Sequence, residues 1–440
     1  MKTILIDIDS LRPDHIGTYG YFKEVTPEID SVSEDSILFE NAYTAASPSL
    51  PSRAVMFSGR FPEHNQVVTH GPEGQQMNSP YNWSYEKKKN WRGDLSDWWN
   101  FPELFFHKDI KTAAVSSFGR YPVPWMYRTW DKYIQPESAM ENGTHATVDG
   151  EEVREKGLEW LKNNKEDSFL LYLQFWDPHV PCMREEDEIN EISSELPEYL
   201  EKADFDQECY RSANEKGIET RKDLEKMVQK YDAEIKHVDK QIGKIVDFLK
   251  DEGLYEETNI IITSDHGEEL GENGVFREHW STYQGTQKIP LIVKTSENKG
   301  RRISHKVSNI DLAPTIADLH GLETPGKWQG KSLMKRLEAS DWKKALITMH
   351  GLYNVQRAVI GDKYKFVETL HSGIRPGTSE KQLFDLEEDP YEQKDIFDGN
   401  KDLAEDFSRI MDDLIEERKF DEDPVQELAE EGPYGWKWNS

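Results

Sequence analysis

Between Ser47 and Arg60 the chain reads "SPSLPSRAVMFSGR", which places a hydroxyl at Ser49, a proline at Pro51 and a fixed cation at Arg53. A serine hydroxyl is a weak nucleophile near neutral pH and needs a neighbouring base, cation or metal to favour its anion. An arginine one helical turn further on supplies fixed positive charge, and a helix N-terminus adds its dipole. The apolar run Ala54–Phe57 reads as that helix. Taken alone, the same residues also make a loop with Ser49 or Ser52 as N-cap and Arg53 on a helix surface.

Three further places carry groups that bind or polarise anions. They are Asp9 in "LIDIDS", Asp177 and His179 in "WDPHVP", and Asp265 with His266 in "SDHGEELGENG". Carboxylates with an imidazole make a permissive divalent-cation set. Oxygen donors suit calcium or magnesium, and the histidine admits manganese or zinc. His179 and His279 read singly are equally well hydrogen-bonded structural histidines.

The elements needed to bring these groups together are visible in the apolar pattern. Ile4–Ile8, Thr112–Ser116, Phe169–Phe175 and Ile260–Thr263 are short continuous apolar runs, as expected of parallel strands buried on both faces, and Ile289–Val293 is a fifth run. Between the third and fourth, Leu224, Met227, Val228, Tyr231, Ile235, Val238, Ile242, Ile245 and Leu249 recur at helical spacing, with Gly253 as the stop. This alternation predicts an α/β fold, a large mostly parallel central sheet flanked by helices. Ligands of such sheets lie beyond the carboxyl ends of the strands, where Asp9, Asp177, His179, Asp265 and His266 stand.

Past Gly326 the pattern changes. "VQRAVIGDKYKFVETL" has two β-rich runs around Gly361-Asp362, a hairpin signal, and an acidic helical tail follows. The expected division is a catalytic domain over 1–330 and a smaller α+β subdomain with a short antiparallel sheet over 331–440. The Trp-rich segment 80–100 reads as a surface insertion near the site mouth or as packing against the main domain. In the first case its indoles offer a stacking platform for a sugar ring.

A hydrophobic share of 36% with 13 Trp in 440 residues supports a sizeable core. A formal net charge of −30 argues against a nucleic-acid partner, although a local pocket still holds a small anion against that field. Two cysteines make no disulfide framework. "MKTILIDIDS" is interrupted by Asp7 and Asp9 and so does not read as a signal peptide, and no stretch approaches the ~18 apolar residues of a membrane span. The expectation is a cytoplasmic protein with no membrane partner.

Read together, these pieces resemble the sulfatase branch of the alkaline phosphatase superfamily over nearly the whole chain. Ser49, Leu50, Pro51, Ser52 and Arg53 followed by "AVMFSGR" match the family signature. "LIDIDSLRPDHIGTYG" resembles its opening strand and metal loop, and "YDAEIKHVDKQIGKIVDFLKDEGLYEETNIIITSDHGEELGENG" its long helix and second metal loop. "KIPLIV", "VSNIDLAPTIADLHG" and "QLFDLEEDPYEQKDI" match later parts in order.

The resemblance implies that Ser49 is oxidised after synthesis to formylglycine by a maturase of the radical type. One hydroxyl of the hydrated aldehyde attacks sulfur, and the other expels sulfate by re-forming the aldehyde. It also implies one divalent cation, calcium first with manganese or magnesium as alternatives, held by Asp9, Asp265, His266 and the Ser49-derived oxygen. Arg53 stabilises the nucleophile and oxyanion, His179 donates to a leaving-group or sulfate oxygen, and His279 takes the place of a sulfate-binding lysine or histidine. His70 stands where some relatives present an asparagine to the anion, and Asp177 lines the substrate side of its turn. The familiar "GKWH" stretch is here "SSFGR", Ser116–Arg120, with Arg120 as the replacement charge. The implied substrate is a small sulfated molecule, a sulfated sugar by family habit. The alternative is a phosphodiesterase or phosphonate monoester hydrolase of the same superfamily.

Overall fold

The computed structural model describes residues 1–70, 100–106, 108, 110–118, 126, 130–137, 148–201, 210–211, 218–297, 299–339, 342, 344–375 and 377–433. Arg120 and all of the Trp-rich segment except Asn100 lie outside the described residues. The chain forms two compact units. The first comprises Met1–Glu40, Pro102–Glu278 and Ile289–Ser304, and the second Asn41–Phe101, His279–Lys288 and His305–Ser440.

The first unit is built on a large sheet whose strands run in the order Leu291–Lys294, Thr258–Thr263, Lys2–Ile8, Phe169–Phe175, Lys111–Val115 and Lys132–Ile134. Pairing is parallel from Thr258–Thr263 through to Lys132–Ile134. The central strands are buried along their length, which is why they read as unbroken apolar runs rather than alternating ones. The fifth apolar run departs from its neighbours. Its body, Leu291–Lys294, is antiparallel to Thr258–Thr263 and to Ser36–Leu38. Pro290, which has no N–H to give a ladder, stands between it and the two-residue strand Lys288–Ile289.

The helix Arg221–Asp251 packs its apolar stripe, including Leu224, Val228, Ile235, Ile242 and Leu249, into this unit. Thr220 and Asp223 form a capping box at its start, and Gly253 at φ +70° ends it just beyond the cap residue. Among the described residues no helix is long and apolar enough to cross a membrane.

The second unit carries a five-stranded sheet in the order Lys381–Asp385, Tyr364–His371, Val355–Ile360, Leu346–His350 and Ala46–Ser47. The expected hairpin is present, with Val355–Ile360 antiparallel to Tyr364–His371. The short strand Ala46–Ser47, which leads into the signature, lies parallel to Leu346–His350 through Met349↔Ala46 and His350↔Ser47. The helix Lys401–Glu417 packs Ala404 and Met411 against Ile347, Val359 and Phe366 of this sheet.

Candidate active site

Register alone brings the acidic residues together in the first unit. Ile8 pairs with Phe175 and Asp7 with Thr263, so the three strands end level. The next residues therefore emerge side by side, and Asp9 N–H donates to the Phe175 carbonyl at 2.9 Å. One ligand atom each from Asp9, Asp265 and His266 lies within 4.8 Å of the others, and all three residues are fully buried. Two carboxylates brought this close out of water repel one another strongly, and a divalent cation removes that cost. His266 Nδ1 lies 2.8 Å from the Gly267 carbonyl, which fixes the proton there and leaves Nε2 as the ligand atom. The oxygen-rich donor set fits a hard cation.

The loop after the first strand is tied down by groups that spacing did not single out. Ser10 adopts φ +61°, the left-handed region that is uncommon outside glycine, and its Oγ donates to Asp9 at 3.0 Å. Tyr231, on the long helix, donates its hydroxyl to the Ser10 carbonyl at 2.7 Å and accepts the Arg12 N–H at 3.0 Å. The buried Arg12 guanidinium bonds Asp14, the Glu268 carbonyl and Glu272, so one side chain joins the loops after both strands. Asp7, two residues ahead of Asp9, accepts the Tyr172 hydroxyl at 2.6 Å.

The "WDPHVP" turn is held in a similar way. Arg277, fully buried and stacked 4.8 Å over the Tyr231 ring, donates to the Pro178 carbonyl at 2.8 Å, one residue before His179. His179 places Nδ1 at 2.5 Å from the Val180 carbonyl, which directs the Nδ1 proton there. The ring edge meets Trp176, which stacks on Phe118 at 5.7 Å and bonds Ser117. In the "SSFGR" stretch, Ser117 and Phe118 therefore seat Trp176. Asp177 is buried, and desolvation with the adjacent Glu234 carboxylate pushes its carboxyl well above the usual range. Glu234 itself receives the Arg184 N–H at 3.0 Å and the Arg184 Nε at 3.1 Å. Cys182 is a half-buried free thiol that burial pushes up to about 12, which removes it as a thiolate nucleophile.

The second unit holds the expected nucleophile, Ser49. Ser49 is the first residue of the helix Ser49–Ser58, Pro48 is its N-cap, and every residue of the helix is buried. Arg53 sits one turn inside with no exposure. Ser49 thus stands at a helix start, where unsatisfied N–H groups and the dipole favour an anion. His70 lies at the same end, its Nε2 accepting the Leu50 N–H at 3.2 Å. His279 is buried and opens the segment His279–Lys288. That segment is held by the sheet of its own unit. Asn354 donates to the Trp280 carbonyl at 2.8 Å, Gln356 accepts the Thr282 N–H at 3.1 Å, and Glu392 accepts the Gln284 N–H at 2.5 Å. Glu392 is in turn ion-paired with the buried Lys365 at 2.8 Å.

Residues 2–322 match the family described as Sulfatase, and residues 271–419 match the family described as N-sulphoglucosamine sulphohydrolase, C-terminal. The chain belongs to the sulfatase family. It is a sulfuric ester hydrolase of the alkaline phosphatase-like superfamily. The Delta 4,5-hexuronate-2-O-sulfatase of Bacteroides thetaiotaomicron is 25% identical over 454 residues, covering 95% of this chain and 89% of its own length. A structure solved in complex with its substrate D-glucosamine-2-N,6-O-disulfate superposes with a TM-score of 0.74 at 19% identity over 98% of both chains. The phosphonate monoester hydrolase of Silicibacter pomeroyi superposes with a TM-score of 0.70 at 17% identity over 95% of each.

Among the residues expected from sequence, Asp9, Asp265 and His266 converge in the first unit of this sulfatase, whose His179 and Asp177 follow the strand Phe169–Phe175. Ser49, Arg53, His70 and His279 belong to the second unit. Reading the sequence missed Arg12, Tyr231 and Arg277. The only signal for Tyr231 was its place on the apolar stripe of the long helix, which gives no hint of its hydroxyl. The two arginines look like surface charges until their burial is known.

Proposed function

We propose that this sulfatase hydrolyses a sulfate ester carried by a sugar, through a formylglycine hydrate derived from Ser49. The observation that carries the reading is the fully buried convergence of Asp9, Asp265 and His266, which answers to a divalent-cation centre at the strand ends. Calcium suits the hard oxygen donors best, with manganese or magnesium as alternatives. The cation, with the Ser49-derived oxygen as a further ligand, supplies Lewis-acid polarisation of the sulfate and a lower pKa for the attacking hydroxyl.

The chain's own residues do the rest. Arg53 and the helix N-terminus hold negative charge beside the nucleophile in a dry setting where such interactions are strong. His179, its Nδ1 proton directed at Val180, acts at the leaving-group oxygen through Nε2. His279 and His70 bind the sulfate oxygens, Asp177 orients its turn, and Arg120 supplies an additional charge. A sugar sulfate agrees with what the names of two similar proteins say they act on, a hexuronate 2-O-sulfate and a glucosamine disulfate. A radical-type maturase is the partner that the reading requires, and the cytoplasm its place of work.

A second reading, phosphodiester or phosphonate ester hydrolysis, is favoured by the TM-score of 0.70 to the phosphonate monoester hydrolase. The deciding experiment pairs peptide mass spectrometry of Ser49 from the native host with kinetics on an aryl sulfate and an aryl phosphate diester. Loss of two hydrogens at Ser49 and preference for the sulfate are expected. An intact serine with preference for the phosphate diester would replace the first reading by the second.

A further inference from the structure

The nucleophile turn and the His279 segment meet at one buried amide. Gln287 is fully buried at the far end of the segment that His279 opens. Its Nε2 donates to Ser47 Oγ at 2.7 Å and to the Ser281 carbonyl at 2.9 Å. Its Oε1 accepts from Thr348 Oγ1, and its backbone carbonyl accepts the Thr44 N–H at 2.9 Å. Ser47 precedes Ser49 by two residues, and Ser281 follows His279 by two. Thr348 belongs to the strand Leu346–His350, whose last residue, the buried His350, sets Nδ1 3.0 Å from the same Ser47 Oγ.

We propose that Gln287 is a positioning residue whose amide holds the Ser49 turn and the His279 segment in one fixed register. This rests on the assignment of Ser49 as nucleophile and His279 as an anion-binding group. A primary amide suits the task because it donates two hydrogen bonds in a fixed fork while accepting on its other side. Here the two donors reach the two segments, and the acceptor anchors the fork to the sheet through Thr348. Transition-state binding is sensitive to such registers, since a displacement of about 1 Å costs rate on the order of 100-fold. The effect therefore falls on kcat more than on KM.

The test uses Gln287→Met, which keeps the volume and removes all three side-chain hydrogen bonds, together with Thr348→Val, which loosens only the anchor. The probe is an aryl sulfate, with kcat divided by the fraction of Ser49 oxidised, read by peptide mass spectrometry. Expected are a fall in normalised kcat of about 10- to 100-fold for Gln287→Met, KM within about threefold, and unchanged bound metal per chain. Thr348→Val gives a smaller fall in the same direction, and the double variant is non-additive. Normalised kcat within about threefold of the native value in both variants overturns the proposal. So does a fall that disappears once kcat is divided by the folded fraction at the assay temperature. If Gln287→Met does not fold, Thr348→Val carries the same kcat-against-KM split alone. Ser49→Ala separates the two layers. Its retained activity overturns the nucleophile assignment and this proposal together, and its inactivity beside an unaffected Gln287→Met overturns the positioning role alone.

Discussion

The expected site residues of the two units are positioned by different means. In the first unit, backbone pairing places the chemistry. Three parallel strands end level, and Asp9, Asp265 and His266 emerge together because Ile8, Phe175 and Thr263 do. In the second unit the ladder is only two residues long, Ala46–Ser47 against Leu346–His350, and stops two residues before Ser49. Beyond it, side-chain hydrogen bonds from Gln287, Asn354, Gln356 and Glu392 hold the signature turn and the segment His279–Lys288. Placement by backbone resists substitution, because any residue that fits the strand keeps the register. Placement by side chains concentrates precision in a few amides and acids, each of which a single substitution removes.

The sharpest way to break this contrast is to remove chemistry without disturbing register. Asp265→Asn should leave the strand ends in place while lowering bound metal and kcat/KM by more than about 100-fold, beyond the usual effect of altering a group behind a ligand. Metal analysis and kinetics on one preparation check it, and undiminished metal would show that the centre does not depend on this carboxylate.

Next in size is Arg277→Met, which attacks a part of the first unit placed by a side chain. Loss of the donor to the Pro178 carbonyl should lower kcat about 10-fold through His179 and cost roughly 1.5–3 kcal/mol of stability, the range for a hydrogen bond to a charged group. An effect on stability alone would mean that the "WDPHVP" turn keeps its shape without help.

The smallest effect concerns pH. Asp239, on the helix Arg221–Asp251, accepts the Glu28 and Ile29 N–H groups at 3.1 and 2.8 Å, and burial lifts its carboxyl from 3.8 to about 7. The folded chain then keeps a proton that the unfolded chain has released. The stability from this group is complete below about pH 4 and is lost as pH rises to about 7. Asp239→Asn abolishes that slope. Its melting temperature relative to the native enzyme should be higher at pH 8 than at pH 5, by the equivalent of roughly 2–3 kcal/mol. Equal differences at both pH values would show that Asp239 titrates normally.

What was legible in the sequence follows the same division. The strands, the long helix, the hairpin and the acidic residues at strand ends were readable because periodicity and burial act on whole segments. Ser49 at a helix start was readable from Pro48, Pro51 and the apolar run after Arg53. The antiparallel course of Leu291–Lys294 was not, because an apolar run looks the same whichever way it pairs. Arg12, Arg277 and Gln287 were not readable either. Nothing local distinguishes a buried guanidinium or amide from an exposed one, and their partners lie far away along the chain, 256 residues in the contact from Arg12 to Glu268 and 240 in that from Gln287 to Ser47.

Those separations have a consequence for how the enzyme is made. Ser47 and His350, whose side chains meet beside the nucleophile turn, are 303 residues apart. At about 5–20 residues per second, a ribosome needs roughly 15–60 s to pass from one to the other. Throughout that interval the strand Ala46–Ser47 lacks its partner, Gln287 or Thr348 is still to be synthesised, and nothing clasps the turn that carries Ser49. On the proposed conversion of Ser49, translation of those 303 residues times the period in which its hydroxyl is open to the maturase.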